Sequence, residues 1–217
     1  MASASVFVTG GTGYIGRPLI ERLLEGGYRV HGLARSGSEA RLPRGATAVI
    51  GNALDAASFT AAIPHGATIV HLVGTPNPSP SKAAEFEQVD LASIRATAAA
   101  AQIAQARHLI YVSVAQPAPV MGAYVAARAK GEERVRATGI PATILRPWYV
   151  LGPGHRWPYL LVPFFALLRL LPATRDTAQR LGLVTRTQMV AALLRAVAQP
   201  QTEGVRIVEV PEIRRAL

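Results

Sequence analysis

The 217-residue sequence predicts an α/β fold, a doubly wound parallel sheet with helices on both faces. Three observations lead there. Short apolar runs alternate with segments of helical spacing through most of the chain, the pattern of repeated strand–helix–strand units. The first apolar run ends in a glycine-rich turn that opens a helix. Half of the residues are hydrophobic and none is cysteine, so an apolar core has to hold the fold without disulfides or zinc–thiolate sites.

The elements follow in order. "SVFVTG" (5–10) is a short apolar run ending in glycine, read as a buried strand. In "YIGRPLIERLLEGG" (14–27), Ile15, Leu19, Ile20, Leu23 and Leu24 recur at helical spacing before a glycine stop. "YRVHGLAR" (28–35) and "ATAVIG" (46–51) are the second and third strands. "ATIVHLVG" (67–74), "HLIYVSV" (108–114) and "ATILRP" (142–147) are three more. Helices fit between them at 56–63, 83–106 and 122–138. Beyond Pro147 the pattern changes. "LGPGHRWP" reads as a loop, 159–171 as an apolar segment, 187–197 as a helix and 205–210 as a last strand.

The whole of 1–217 is expected to form one domain, with 148–204 as a small substrate-side cap. Segment 159–171 is short of the roughly 20 residues that span a bilayer and contains Pro163 and Arg169. It reads as a buried cap helix; a wall for a lipophilic substrate and a membrane-surface or partner contact are the alternatives.

The net charge is +10, and only Lys82 and Lys130 among the 23 basic residues are lysines. These charges are scattered, without like-charge blocks or interleaved aromatics, which argues against a nucleic-acid partner. The five histidines show no ligand spacing, so no metal site is expected. The start "MASASVFVTG" lacks the basic region and apolar run of a secretory signal, which points to the cytoplasm.

"TGGTGYIG" (9–16) joins the first strand to the first helix, with Gly10, Gly13 and Gly16 in G-x-x-G-x-x-G spacing. Gly10 permits a tight turn, Gly13 lets a pyrophosphate approach the backbone, and Gly16 lets the helix pack on the sheet. The positive helix end then favours phosphate. The residues expected against a dinucleotide here are Gly10, Thr12, Gly13, Tyr14, Ile15 and Gly16. After the second strand stands "LARSGS", with Arg35 and Ser36 and no acid until Glu39. An acid there would bond a ribose 2′-hydroxyl, whereas a base accepts a 2′-phosphate, so NADPH is favoured over NAD.

With these residues in view, the chain resembles the extended and atypical short-chain dehydrogenases/reductases, including their epimerase-like and NmrA-like members. The resemblance runs through "VFVTGGTGYIG", "VHLVG" (70–74), "YVSV" (111–114), "AYVAARAKGEE" (123–133) and "LRPWYVLGPG" (145–154). It implies a Rossmann fold and a nicotinamide cofactor. It also implies adenine contacts from "GNALD" (51–55) through Asn52 and Ala53, and cofactor contacts from Val73 and Gly74. Asn52 stands where the family has an aspartate.

The family's catalytic pair is a tyrosine and a lysine four residues apart, hence on one helix face. Two pairs compete here, Tyr124 with Arg128 and Ala126 with Lys130. At about 100° per residue they lie nearly opposite each other. Val125, Arg128 and Val135 share the arc of Tyr124, so Tyr124 and Arg128 are expected to face the sheet and Lys130 the solvent. By resemblance Tyr124 donates a proton, Arg128 takes the lysine's place beside phenol and ribose, and Ser113 is nearest to the family's third hydroxyl. An arginine keeps the charge but cannot release a proton. Tyr149, His155 and Arg156 are candidate substrate contacts.

The expected function is NADPH-dependent reduction of a carbonyl or quinone-like small molecule. A non-catalytic NADPH-binding sensor or accessory subunit is the alternative. An epimerase or dehydratase acting on a nucleotide sugar fits less well, because such members carry a larger C-terminal domain than the residues after Gly154 provide.

Overall fold

The computed structural model describes residues 4–153 and 180–217. Strands β1 (Ser5–Thr9), β2 (Arg29–Ala34), β3 (Thr47–Ile50), β4 (Thr68–His71), β5 (His108–Val112) and β6 (Ala142–Arg146) join a later strand, Val205–Glu209, in one sheet. Numbered in chain order, that strand is β9, because Tyr149–Leu151 (β7) and Leu183–Thr185 (β8) precede it. The sheet order is β3-β2-β1-β4-β5-β6-β9 and every pairing is parallel. Strand order reverses between β1 and β4, and in such sheets ligands bind outside the carboxyl ends of the strands at that point.

The period of two along each strand divides the core. Phe7, Ile69, Leu109, Tyr111 and Ile144 pack on one face with Ile94 and Val135. Val6, Val8, Val70, Ile110 and Leu145 pack on the other with Leu19, Leu23, Met189 and Leu193. The first face carries α2 (Ala92–Ile103) and α3 (Gly122–Ala137), and the second carries α1 (Gly16–Glu25) and α4 (Arg186–Ala198). A helical turn at Ala83–Glu85 and a π-helical stretch at Phe86–Leu91 lead into α2.

Two local readings are corrected. The helix expected over 56–63 is a pair of 3-10 turns, Ala56–Ser58 and Thr60–Ala62. Asp55 caps the first by accepting from the Ala57 amide, but Phe59 leaves helical geometry at φ −141° to stack on Phe7. Burial of that ring overrides helix propagation. The loop expected from Leu151 begins as part of β7, which pairs in parallel with β8. A final short helix, α5 (Val210–Arg214), follows β9. The apolar segment 159–171 lies outside the described residues. Among the described residues no helix is long and apolar enough to cross a membrane.

Candidate active site

A cleft of about 730 Å³ opens at the carboxyl ends of β1, β4 and β5. Gly10, Gly13, Tyr14, Ile15 and Gly16 line one side. Gly10 has φ +74°, which glycine alone adopts at little cost, and its α-carbon packs against the Leu72–Val73 backbone. A Cβ on Gly16 would collide with the Gly10 carbonyl oxygen. The turn is closed by the Gly13 amide donating to that oxygen at 3.0 Å. Helix α1 starts here with no acidic residue in its own first turn, which leaves its positive end suited to an anion. The cradle fits a dinucleotide pyrophosphate.

The opposite wall holds several of the side chains singled out in the sequence. Ser113, Tyr124, Arg128, Tyr149 and Gly74 all line this cleft. Ser113 is 3% exposed, and its hydroxyl oxygen is buried without a hydrogen-bond partner among the described residues. Such a group is costly unless something occupies the cleft beside it. On α3, Arg128 is buried and Tyr124 half-buried, while Lys130 is exposed and pairs with exposed Glu87 at 2.6 Å. Tyr124 packs on Phe86 with ring centroids 4.9 Å apart.

Arg128 is held firmly. Its Nη2 lies 2.5 Å from Asp90 Oδ1, and its Nη1 donates to the Val112 carbonyl at 2.9 Å. The guanidinium lies 5.3 Å from the Tyr124 ring centroid and 5.8 Å from that of Tyr111. Burial opposes its charge, but Tyr124, Tyr111 and Asp90 outweigh this and raise its pKa above the ordinary arginine value. Burial pushes Tyr111 up to about 12 against the pull of Arg128. It also raises Tyr149. His71 is fully buried and held down to about 3, by burial first and Arg128 second. Its Nδ1 meets the hydroxyls of Thr9 at 2.9 Å and Thr97 at 3.0 Å.

The remaining sequence candidates lie elsewhere. Arg35 and Ser36 are exposed at the carboxyl end of β2, and Asn52 and Ala53 lie in the turn after β3. Asn52 uses its side-chain oxygen to accept from the Leu54 amide at 3.1 Å. Thr12 and Val73 sit beside the glycine turn without lining the cleft. His155 and Arg156 lie outside the described residues. Among the described residues no cluster of His, Cys, Asp and Glu could hold a metal.

Sequence reasoning missed Asp90, Thr75 and Arg41. Asp90 is fully buried; its Oδ2 accepts from the Thr75 amide at 3.0 Å and from the Thr75 hydroxyl at 2.6 Å. One signal was available, an acid sharing a helical face with Phe86 and Ile94. Arg41 reaches the Thr12 carbonyl at 3.5 Å, bringing a guanidinium to the glycine turn.

A family model described as NAD(P)H-binding matches residues 10–156. A curated relative, "Ceramide reductase" of Caulobacter vibrioides (strain NA1000 / CB15N), is 29% identical over 216 residues, 99% of this chain and 66% of that protein. The chain thus spans just under two thirds of that relative's length. Among solved structures, the Bordetella bronchiseptica enzyme WbmH in complex with NAD+ matches with a TM-score of 0.70 at 21% identity, covering 98% of this chain and 80% of that one. UDP-N-acetylglucosamine 4-epimerase from Bacillus cereus matches with a TM-score of 0.69 at 16% identity, covering 95% and 76%. At these identities the two solved structures establish the Rossmann fold.

Proposed function

The chain belongs to the NAD(P)H-binding family whose model spans residues 10–156, and from that premise we propose that it is an NADPH-dependent reductase of a carbonyl or quinone-like group on a lipophilic substrate. The observation that carries the reading is the meeting of the glycine turn, Ser113, Tyr124 and Arg128 in one cleft. Bound there, the dinucleotide would supply the hydride. The turn and the amino end of α1 would hold its pyrophosphate, and Arg35 would accept the 2′-phosphate.

Tyr124 holds the phenolic proton that would pass to the substrate oxygen. Ser113 donates its hydroxyl, unpartnered among the described residues, to the same oxygen and fixes its position. Arg128 orients Tyr124. Met121, Pro147, Trp148 and Val150 line the far part of the cleft and exclude water from an apolar substrate. The relative named "Ceramide reductase" supports a lipid as that substrate.

One observation favours a second reading, a non-catalytic NADPH-binding protein. Arg128, standing where the family has its lysine, is already engaged by Asp90 and Val112. The deciding experiment follows NADPH oxidation with a panel of long-chain ketones, aldehydes and quinones. The reductase reading expects turnover with at least one of them and a loss of about 10²–10⁴-fold in Tyr124→Phe, the usual size of a general-acid contribution. Tight NADPH binding with no turnover across the panel favours the second reading.

A further inference from the structure

Arg128 and Asp90 form a closed pair. Their side chains are 7% and 0% exposed, and they meet at 2.5 Å. Each is tied a second time. Asp90 holds the amide and hydroxyl of Thr75, and Arg128 holds the Val112 carbonyl. A Cβ on Gly74 would collide with Arg128 Nη2 and come within 3.1 Å of Asp90 Oδ1. The pair therefore occupies the space that a side chain at 74 would need. It also joins the ends of β4 and β5 beneath the cleft.

The guanidinium faces the ring of Tyr124, and Phe86 packs on that ring as well. A buried arginine without its carboxylate would be strongly unfavourable, and a buried carboxylate without its cation equally so. A lysine at 128 would bring a compact ammonium in place of a planar group that bonds Asp90 and Val112 together.

Resting on Tyr124 as the proton donor, we propose that Asp90 is a positioning residue: it neutralises and fixes Arg128, so that the pair sets the Tyr124 ring as one neutral unit and Arg128 does not act on the phenol as a free cation. Among the described residues, Arg128 and Phe86 lie against the Tyr124 ring, Tyr111 is coupled to it electrostatically, and Tyr149 lines the same cleft. Asp90 meets Arg128 from the π-helical stretch, and His71 packs on Tyr111 from β4. Lys130, on its own helix, is paired to Glu87. Of these, Asp90 alone carries a buried charge bonded to Arg128.

The test uses the full-length protein labelled with [¹³Cζ]tyrosine, with the Tyr124 resonance assigned by Tyr124→Phe. Wild type, Asp90→Asn, Arg128→Lys and the double variant are titrated with alkali, and their kcat and KM are measured. Asp90→Asn removes the neutralising charge, so Tyr124 ionises at lower pH than in wild type, by about one pH unit for a charge several ångströms away. Its kcat falls about 10–100-fold, the scale of a small misplacement of a catalytic group. Arg128→Lys also loses turnover, and the double variant is no worse than the poorer single one, because the two residues act as a unit.

An unmoved Tyr124 titration in folded Asp90→Asn overturns the proposal, as does an Arg128→Lys variant with undiminished turnover. Should Asp90→Asn fail to fold, Thr75→Val loosens Asp90 while keeping its charge. That variant is expected to lower kcat without moving the Tyr124 titration, and a moved titration would count against the pairing. If wild type turns over no substrate, the reductase reading fails, while the titration still decides whether Asp90 neutralises Arg128 beside Tyr124.

Discussion

Arg146 grips Glu132 with two hydrogen bonds, Nε to Oε1 at 2.8 Å and Nη2 to Oε2 at 2.6 Å. Glu132 is nearly buried on α3, Arg146 ends β6, and Gln116 donates to the same carboxylate at 2.6 Å. The carboxylate thus ties α3, which carries Tyr124 and Arg128, to the sheet and to the loop after Ser113. Glu132→Ala leaves Arg146 without its bidentate partner. Urea unfolding should show a loss of about 2–4 kcal/mol, the range for charge-assisted bonds at a mostly buried pair. By contrast Lys130→Ala, which removes an exposed pair with Glu87, should stay within about 1 kcal/mol.

Stability should fall on the acid side through two histidines. His71 is held at about 3 and His108 at about 4, burial being the main cause for each. Both lie below the ordinary 6.5 of an unfolded chain. As pH falls below about 6.5 the unfolded chain binds protons that the folded one rejects, so the contribution present above 6.5 is lost toward pH 4 and, for His71, toward pH 3. Melting temperatures across that window should drop, and His108→Gln should flatten the slope. An equally steep slope in that variant would remove His108 from the account.

Gly16→Ala probes the cradle. Its new methyl group collides with the Gly10 carbonyl, so the turn must shift. Strain of about 1–3 kcal/mol corresponds to roughly 10–100-fold weaker NADPH binding, readable by nicotinamide fluorescence. Gly37→Ala makes a useful contrast. Its φ of +78° strains the backbone too, but a Cβ there meets nothing within 4 Å. NADPH affinity should therefore fall much less.

Arg35 tests the choice of dinucleotide. Its position at the end of β2 suits a 2′-phosphate. Wild type should bind NADPH more tightly than NADH, and Arg35→Ala should remove most of the difference while leaving NADH affinity unchanged. Equal affinities in wild type would withdraw that role from Arg35. Preference surviving Arg35→Ala would shift attention to Arg41, whose guanidinium already reaches the Thr12 carbonyl.

What the sequence by itself determined is what short-range chemistry controls. Alternating apolar runs place strands and helices, because burial periods of two and 3.6 are local properties of the backbone. The spacing of Gly10, Gly13 and Gly16 specifies a turn that only small residues can close. Rotation along one helix separates buried Arg128 from exposed Lys130.

The tertiary structure alone decided what Arg128 touches. Asp90 is 38 residues earlier, and it reaches Arg128 only because parallel strand order sets the helix before β5 beside the helix after it. The same holds for Thr75 against Asp90, and for the pairing of Tyr149–Leu151 with Leu183–Thr185. The turns at 56–62 follow the same rule. Helical propensity there yields to Phe59, whose burial against Phe7 depends on a strand some fifty residues away. No pattern within a helix-length window encodes such partners, since desolvation and ion pairing are settled by which elements the sheet brings into contact.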